Sequence, residues 1–149
     1  MTATTDIREL GGLALLRSFM AAGTRPPMNE HMDFTLVEIE PGLAIFEGEP
    51  KPTMLNPMGA IHGGYAAAIL DTACGCAVHA HLAAGQSYTT LELKVSYVRG
   101  LSAQSGRVRA EGRTISVGKR AAFAEATLTD EQGRICATAT STLMVFGAA

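Results

Sequence analysis

Apolar residues recur at helical spacing near the start of the chain. Between Thr5 and Ala22 they recur every three or four positions, which predicts an amphipathic N-terminal helix with a Thr or Asp cap. The Gly11–Gly12 pair lies within this helix, at a cost in helix propensity. Residues 23–31 contain two adjacent prolines, and we expect regular structure to break there.

Two short strands are predicted next, over residues 33–40 and 43–49. They are joined at Pro41–Gly42, a dipeptide that is typical of turns. Three prolines then mark an irregular loop, at positions 50, 52 and 57. This loop leads into the longest helical pattern of the chain.

That pattern covers residues 63–84 and is apolar nearly all round. A helix without a polar face is typical of a buried position, so we expect the rest of the chain to enclose it. Asp71 is the only charged residue from Gly59 through Val78. Burying an unpaired carboxylate costs several kcal/mol, so Asp71 requires either hydrogen-bonding partners or a function.

The second half of the chain predicts four strands. The first covers residues 90–98 and has a period-2 alternation. Its apolar and polar sets are Leu91, Leu93, Val95, Tyr97 and Thr90, Glu92, Lys94, Ser96. Three more strands are predicted over residues 105–117, 120–130 and 134–146, and the short turns between these three favour antiparallel hairpins.

The predicted order is therefore one helix, two strands, a long helix and four strands. An antiparallel sheet wrapped around the central helix satisfies this order, so the expected fold class is α+β. The 149 residues are expected to form a single domain, with the N-terminal helix and loop over residues 1–30 and the core over about 33–146.

Composition and charge exclude some classes of function. The net charge is −2 and the chain has no tryptophan, so it lacks the basic face and the stacking aromatics that nucleic-acid binding uses. Hydrophobic residues make up 47% of the chain and charged residues 17%, which is a weak indication that apolar surface is buried between subunits.

The compartment is predicted to be the cytoplasm. Cys74, Cys76 and Cys136 are odd in number and two lie one residue apart, which favours buried thiols in a reducing environment over disulfides or a metal motif. The N-terminus has no signal-peptide pattern, and no uninterrupted apolar run reaches membrane-spanning length. We therefore expect no membrane partner.

A spaced motif lies at the start of the long helical pattern. It reads N-x-x-G-x-x-H-G-G, formed by Asn56, Gly59, His62, Gly63 and Gly64, and Asp71 follows nine residues after His62. The combination resembles the hotdog-fold acyl-CoA thioesterases of the phenylacetic acid degradation (PaaI-like) type. The segments TTLELKVSYVRG and GKRAAFAEATL look like later strands of that family.

The resemblance implies a sheet around a central helix, dimers with active sites at the subunit interface, and usually tetramers. Asp71 would activate water or attack the thioester directly, and the Gly63 N–H would polarise the carbonyl. Asn56 would orient the thioester or the water, and Thr90 would assist the water. A slip of one residue would exchange Thr90 with Thr89, which points to the opposite face of the strand.

Glycine at a helix N-terminus suits oxyanion binding. Free N–H groups there carry positive potential, and a residue without Cβ lets the substrate come close to the backbone. Helical rise places Gly63 and Asp71 roughly 12 Å apart. One thioester carbonyl cannot touch both in one chain, which favours a site shared by two subunits.

Structural roles are the alternatives for these residues. Asp71 could be an ordinary hydrogen-bonded carboxylate, Gly63 and Gly64 turn glycines, and His62 a residue that orders the loop rather than a proton donor. Asn56 precedes a proline and could form an Asx-turn. The carboxylate and imidazoles of His62, Asp71, His79 and His81 match no metal-ligand spacing, so no metal is predicted.

Coenzyme A is predicted to be part of the substrate, and no separate cofactor is expected. Arg99, Lys119 and Arg120 are candidates for its phosphates because all three are cationic and the guanidinium of arginine matches phosphate geometry; solvated surface charge is the alternative. The leading function is hydrolysis of an aryl- or medium-chain acyl-CoA. An acyl-thioester hydratase or dehydratase, and a non-catalytic acyl-CoA-binding protein, are the alternatives.

Overall fold

The structure, a computed structural model, describes residues 9–147. Its helices are α1, α2 and α3, at Gly12–Ala22, Pro27–His31 and Gly63–His79. Its strands are β1 Phe34–Glu40, β2 Leu43–Gly48, β3 Ser87–Tyr97, β4 Val108–Val117, β5 Ala121–Thr129 and β6 Ile135–Phe146. A single 3-10 turn, Pro52–Met54, lies in the proline-marked loop.

The six strands form one sheet in the order β1-β2-β4-β5-β6-β3, and every neighbouring pair is antiparallel. The sheet curves around α3, which packs against all six of its strands. The predicted α+β hotdog architecture is confirmed. Strand β3 lies at an edge of the sheet, because β6 is its only partner among residues 9–147.

Small residues bring the sheet close to α3. Strand β5 turns Ala122, Ala124 and Ala126 inward, all of them buried. On β4, a Cβ at Gly112 would overlap the carbonyl oxygen of Ala73. The strand can therefore touch the helix backbone only because position 112 has no side chain.

The predicted start of the N-terminal helix is wrong. Helix α1 begins at Gly12, with Gly11 in extended conformation as its N-cap; the predicted Thr and Asp caps lie outside the described residues. The Gly12 N–H donates to the carbonyl of Leu82, and a Cβ on Gly12 would overlap the backbone of His79. The glycine pair therefore starts the helix against the end of α3 instead of interrupting it.

Two further predicted boundaries differ from the structure. The supposed break over residues 23–31 contains the short helix α2, which begins at Pro27, a residue suited to a first helical turn. Helix α3 ends at His79 and not at residue 84. The backbone beyond it is engaged elsewhere: the Leu82 carbonyl accepts from Gly12, and the Ala83 N–H donates to the Gln86 side chain.

Helix α3 is buried against the sheet as predicted, but this chain alone leaves one side of it uncovered. One stripe of the helix is only half-buried or exposed: Gly63, Gly64, Ala67, Ala68, Asp71, Thr72, Cys76 and His79. The sheet covers the opposite side, where Ile69, Leu70 and Ala73 are fully buried. Asp71 therefore lies on the open side of an otherwise buried helix.

Within the described residues, no helix is both long and apolar enough to cross a membrane.

Candidate active site

Asp71 has one hydrogen-bonding partner among the described residues. The Thr90 hydroxyl donates to its Oδ1 atom at 2.9 Å, which joins the middle of α3 to β3. Both side chains are half-buried. The contact fixes one carboxylate oxygen, while Oδ2 has no partner among residues 9–147. A carboxylate held in this way can accept a proton from water or attack an electrophile.

A β-bulge determines which face of β3 carries Thr90. Thr90 pairs with Leu143 and Glu92 pairs with Thr142, so Leu91 has no partner on β6 and its side chain is 56% exposed. The extra residue changes the parity of the strand. The strict alternation predicted from the sequence placed Thr90 and Leu93 on different faces of the strand. That prediction is wrong at the bulge, because Thr90 and Leu93 lie on the same face. Thr90 faces α3 and Thr89 faces solvent.

The N-terminus of α3 is capped by His62. The Gly64 N–H donates to the His62 Nδ1 at 2.8 Å, and the Tyr65 N–H donates to the His62 carbonyl oxygen. The neutral ring therefore carries its proton on Nε2. Because the Gly64 N–H is used in this cap, it cannot donate to a ligand. Gly64 can contribute only by leaving space beside the helix start.

The Gly63 N–H has no acceptor within residues 9–147. Gly63 is the first residue of α3, so this donor is one of the amides that a helix leaves without an intrahelical partner. The helix dipole adds positive potential at the same point. Of the two glycines of the motif, Gly63 is the one whose amide is available to an oxyanion.

Tyr97 orders this helix start and was not singled out from the sequence. Its hydroxyl donates to the Gly63 carbonyl at 2.9 Å, and its ring lies 3.1 Å from where a Cβ on Gly63 would be. A cavity of about 60 Å³ lies beside the two residues and is also lined by Arg99. In the sequence, Tyr97 is marked only as one of the alternating apolar residues of the strand, and this pattern does not predict its contact with Gly63.

Asn56 forms an Asx-turn. Its Oδ1 accepts from the N–H groups of Met58 and Ala60, and its own N–H donates to the Ala60 carbonyl. Gly59 completes the turn with a φ of 82°, which glycine adopts at little cost. The side-chain oxygen of Asn56 is thus committed to shaping the loop that precedes His62.

Gly63 and Asp71 lie at separate places on one helix. Eight residues of helical rise place them roughly 12 Å apart along its axis, on the same half-open stripe. The structure therefore brings Thr90 to Asp71 and Tyr97 to Gly63, but it does not bring these two pairs together.

The three cationic candidates are separated as well. Arg99 follows the end of β3, near Gly63. Lys119 and Arg120 lie in the β4–β5 turn, and the Arg120 carbonyl accepts from Val145, near the start of β3. Strand rise puts these two ends of β3 roughly 30 Å apart. One chain cannot direct all three at the same phosphate.

The remaining histidines have separate surroundings. His79 packs against the Tyr88 ring with centroids 5.5 Å apart, and the His81 Nε2 lies 3.3 Å from the Thr114 hydroxyl. Within the described part of the chain, no three His, Cys, Asp or Glu side chains are arranged to hold a metal ion.

Residues 58–137 match the family model of the thioesterase superfamily. In Klebsiella pneumoniae, the proofreading thioesterase EntH is 31% identical over 117 residues, which cover 78% of this chain and 84% of that protein. The matched span contains Gly63, Asp71 and Thr90.

Two solved structures resemble the whole fold. A putative thioesterase from Ralstonia eutropha, described as related to phenylacetic acid degradation, is 29% identical with a TM-score of 0.76; the match covers 85% of this chain and 97% of that one. A Streptococcus mutans protein solved with acetyl-CoA bound is 27% identical with a TM-score of 0.70; that match covers 77% of this chain and 90% of that one.

Proposed function

The chain belongs to the thioesterase superfamily and is a thioester hydrolase, and we propose that it hydrolyses an acyl-CoA to the free acid and coenzyme A. The observation that carries this proposal is that α3 presents two groups on one side: the Gly63 N–H, which has no acceptor within residues 9–147, and the Asp71 carboxylate, which Thr90 holds. The acetyl-CoA bound to the similar Streptococcus mutans protein supports coenzyme A as the carrier group.

In the proposed reaction, the thioester carbonyl oxygen accepts a hydrogen bond from the Gly63 N–H. Asp71 removes a proton from water as the water oxygen attacks the carbonyl carbon, and the negative charge that develops on the carbonyl oxygen is stabilised at the helix N-terminus. When the tetrahedral intermediate collapses, the C–S bond breaks and the thiolate takes a proton. In the alternative route Asp71 attacks the carbon itself and the C–S bond breaks to release the thiolate, which takes a proton from solvent. Water then hydrolyses the resulting anhydride to the free acid and restores the Asp71 carboxylate.

The proposed site lies between two copies of the chain, with Gly63 from one and Asp71 from the other. Three features support this arrangement: the roughly 12 Å separation along the helix, the half-open stripe of α3, and the unpaired edge of the eleven-residue strand β3. An exposed strand edge is a ready pairing surface. A homodimer, assembled further into a tetramer, is the proposed form.

The other sequence candidates take supporting roles in the proposal. His62 and Asn56 shape the loop and the helix start, Gly64 leaves room for the substrate, and Arg99 contacts a coenzyme A phosphate. Lys119 and Arg120 lie at the other end of β3, so they contribute only from the partner subunit. Coenzyme A enters as part of the substrate, and no separate cofactor is required.

The hydratase alternative requires a histidine next to the acid. The hydrogen-bonding partner of Asp71 among the described residues is Thr90. Within one chain, His62 and His79 lie nine and eight residues away from Asp71. His62 adjoins Gly63 and would approach Asp71 in the shared site, but its Nδ1 is occupied as the helix cap. The geometry therefore favours hydrolysis.

The test measures thiol release from acetyl-, octanoyl- and phenylacetyl-CoA by the wild-type protein and by Asp71→Asn. We expect wild-type activity on at least one substrate, and a loss of at least ~100-fold in kcat/KM in the variant. Glu38→Gln, at an exposed carboxylate on β1, is the matched control and keeps wild-type rates. If the wild type releases no thiol, or if Asp71→Asn is fully active, the proposal is wrong.

A further inference from the structure

A mostly apolar cavity of about 280 Å³ lies between α1 and the open stripe of α3. Its walls include Leu16, Phe19 and Met20 of α1, Cys76 of α3 and Tyr88 of β3. Cavities of this kind are the usual binding sites for small apolar ligands. The residues proposed for catalysis do not line it, so the proposed reaction leaves it unexplained.

The cavity begins beside Asp71. Tyr88 and Thr90 are two residues apart on β3 before the bulge, and both face α3. Thr90 holds Asp71, whereas Tyr88 forms a cavity wall. Side chains at this spacing on a strand lie roughly 7 Å apart. On the helix, Thr72 follows Asp71 directly and also lines the cavity.

Gly75 leaves the space in which Tyr88 lies. The Tyr88 hydroxyl is 2.5 Å from where a Cβ on Gly75 would be, so the ring rests on the helix backbone between Asp71 and His79. The ring thereby gives the cavity an aromatic wall close to the carboxylate.

We infer that this cavity receives the apolar acyl tail of the thioester, with α1 as the wall that limits tail length. The inference rests on the proposed function. An apolar cavity of roughly 150 Å³ holds a benzene molecule, so a volume of about 280 Å³ accommodates a phenyl ring or a straight chain of medium length. Longer chains meet the side chains of Phe19 and Met20.

The polar groups at the cavity wall fit an uncharged tail. Burial lowers the pKa of His79, so its ring is neutral at physiological pH. Arg25 also lines the cavity, but its guanidinium is paired with Asp33 at 3.1 Å. Among the described residues, the cavity thus offers no free cation to an acyl carboxylate, and dicarboxylic acyl groups are expected to be poor substrates.

A filling substitution tests the assignment. Met20→Trp narrows the cavity from α1, and Met28→Trp is the matched control on α2, where the side chain is 60% exposed. We expect Met20→Trp to lower the ratio of kcat/KM for octanoyl-CoA to that for propionyl-CoA by at least ~10-fold, while Met28→Trp leaves the ratio unchanged. The ratio of kcat/KM for phenylacetyl-CoA to that for propionyl-CoA tests an aryl tail in the same way. Ratios that match the wild type for both tails overturn the inference.

A binding measurement separates this inference from the proposed function. The chain has no tryptophan, so Phe19→Trp introduces a single fluorescent reporter at the cavity. In an Asp71→Asn background its emission shifts with octanoyl-CoA and not with coenzyme A alone, whereas a reporter at the exposed Phe123 does not respond. If the reporter at position 19 responds but the wild-type protein releases no thiol, only the proposed function is contradicted. Thiol release with no response at position 19 contradicts the acyl cavity only.

Discussion

The Thr90 hydroxyl and the Asp71 carboxylate meet at 2.9 Å because β3 has a bulge at Leu91. Without the extra residue, the strand would turn Thr90 to solvent while Leu93 and Val95 faced the helix. The bulge thus lets one strand present an apolar face along part of its length and a hydroxyl at the carboxylate. The hydrogen bond fixes the orientation of Asp71 and leaves its second oxygen without a partner among residues 9–147, available for the proposed reaction.

Removal of this hydroxyl is expected to reduce activity without unfolding the protein. A hydrogen bond to a charged group contributes about 1.5–3 kcal/mol, so Thr90→Val lowers kcat/KM by roughly 10- to 100-fold. Thr90→Ser keeps the donor and most of the activity. Thr89→Val, on the solvent face of the same strand, is the control and keeps wild-type rates. Equal kcat/KM for Thr90→Val and Thr89→Val would contradict the role given to Thr90.

The Gly63 amide can be tested by comparing alanine with proline. Both substitutions add a Cβ beside the Tyr97 ring, but only proline removes the N–H. Proline is compatible with the first position of a helix, and the preceding His62 has φ −59° and ψ 134°, which suits a residue before proline. We expect kcat/KM for Gly63→Pro to be about 100- to 1,000-fold below that of Gly63→Ala.

Thermal unfolding of the two Gly63 variants provides the necessary check. Their melting temperatures should agree within a few degrees, since they share the new contact with Tyr97. Rates that are equal in both variants, with matched stability, would exclude an oxyanion role for this amide.

The contact between β4 and α3 makes a prediction about stability. Because a Cβ at Gly112 overlaps the Ala73 carbonyl, Gly112→Ala must push the strand away from the helix, at a cost of roughly 1–3 kcal/mol or more. Gly100→Ala is the matched control, since nothing lies within 4 Å of its Cβ position. Urea denaturation should show a lower midpoint for Gly112→Ala alone. An unchanged midpoint would show that the sheet can separate from α3 at no cost.

His79 predicts a dependence of stability on pH. Burial lowers its pKa in the folded protein, whereas the unfolded chain takes up a proton near pH 6.5. The free energy of unfolding therefore falls as pH drops through about 6.5, by less than about 1.4 kcal/mol per pH unit from this group, and the loss stops below the folded pKa. His79→Gln should flatten the curve between pH 7 and 5, measured by urea denaturation. His31→Gln, at an exposed site, should leave the curve unchanged.

The sequence predicted the sheet and the central helix because both have strong periodicity. The predicted ends of the strands lie within a few residues of the observed ones. The apolar run after His62 predicted the first residue of α3 correctly. The boundaries that failed depend on contacts between distant elements. Gly12 starts α1 because it touches the end of α3, and no local pattern reports that contact.

For the candidate site, the sequence indicated which residues to consider but not how they are arranged. Asp71 stood out as a lone charge, and Gly63 as a glycine at a helix start. The bulge that turns Thr90 inward depends on the pairing of β3 with β6, which a single strand does not reveal. The capping by the His62 ring nitrogen and the Tyr97 contact likewise require the folded loop. The cavity beneath α1 depends on the packing of elements far apart in the chain.

In the proposed dimer, the placement of Gly63 and Asp71 on one helix, roughly 12 Å apart, makes each chain a contributor to two different sites. Two inactive proteins, Gly63→Pro and Asp71→Asn, should then complement each other. In a mixed dimer one site receives both damaged residues and the other receives neither. Random exchange of subunits would form mixed dimers in half of the population, each with one intact site, and so restore about a quarter of wild-type activity. A helix that cannot complete a site alone thereby allows intersubunit rescue.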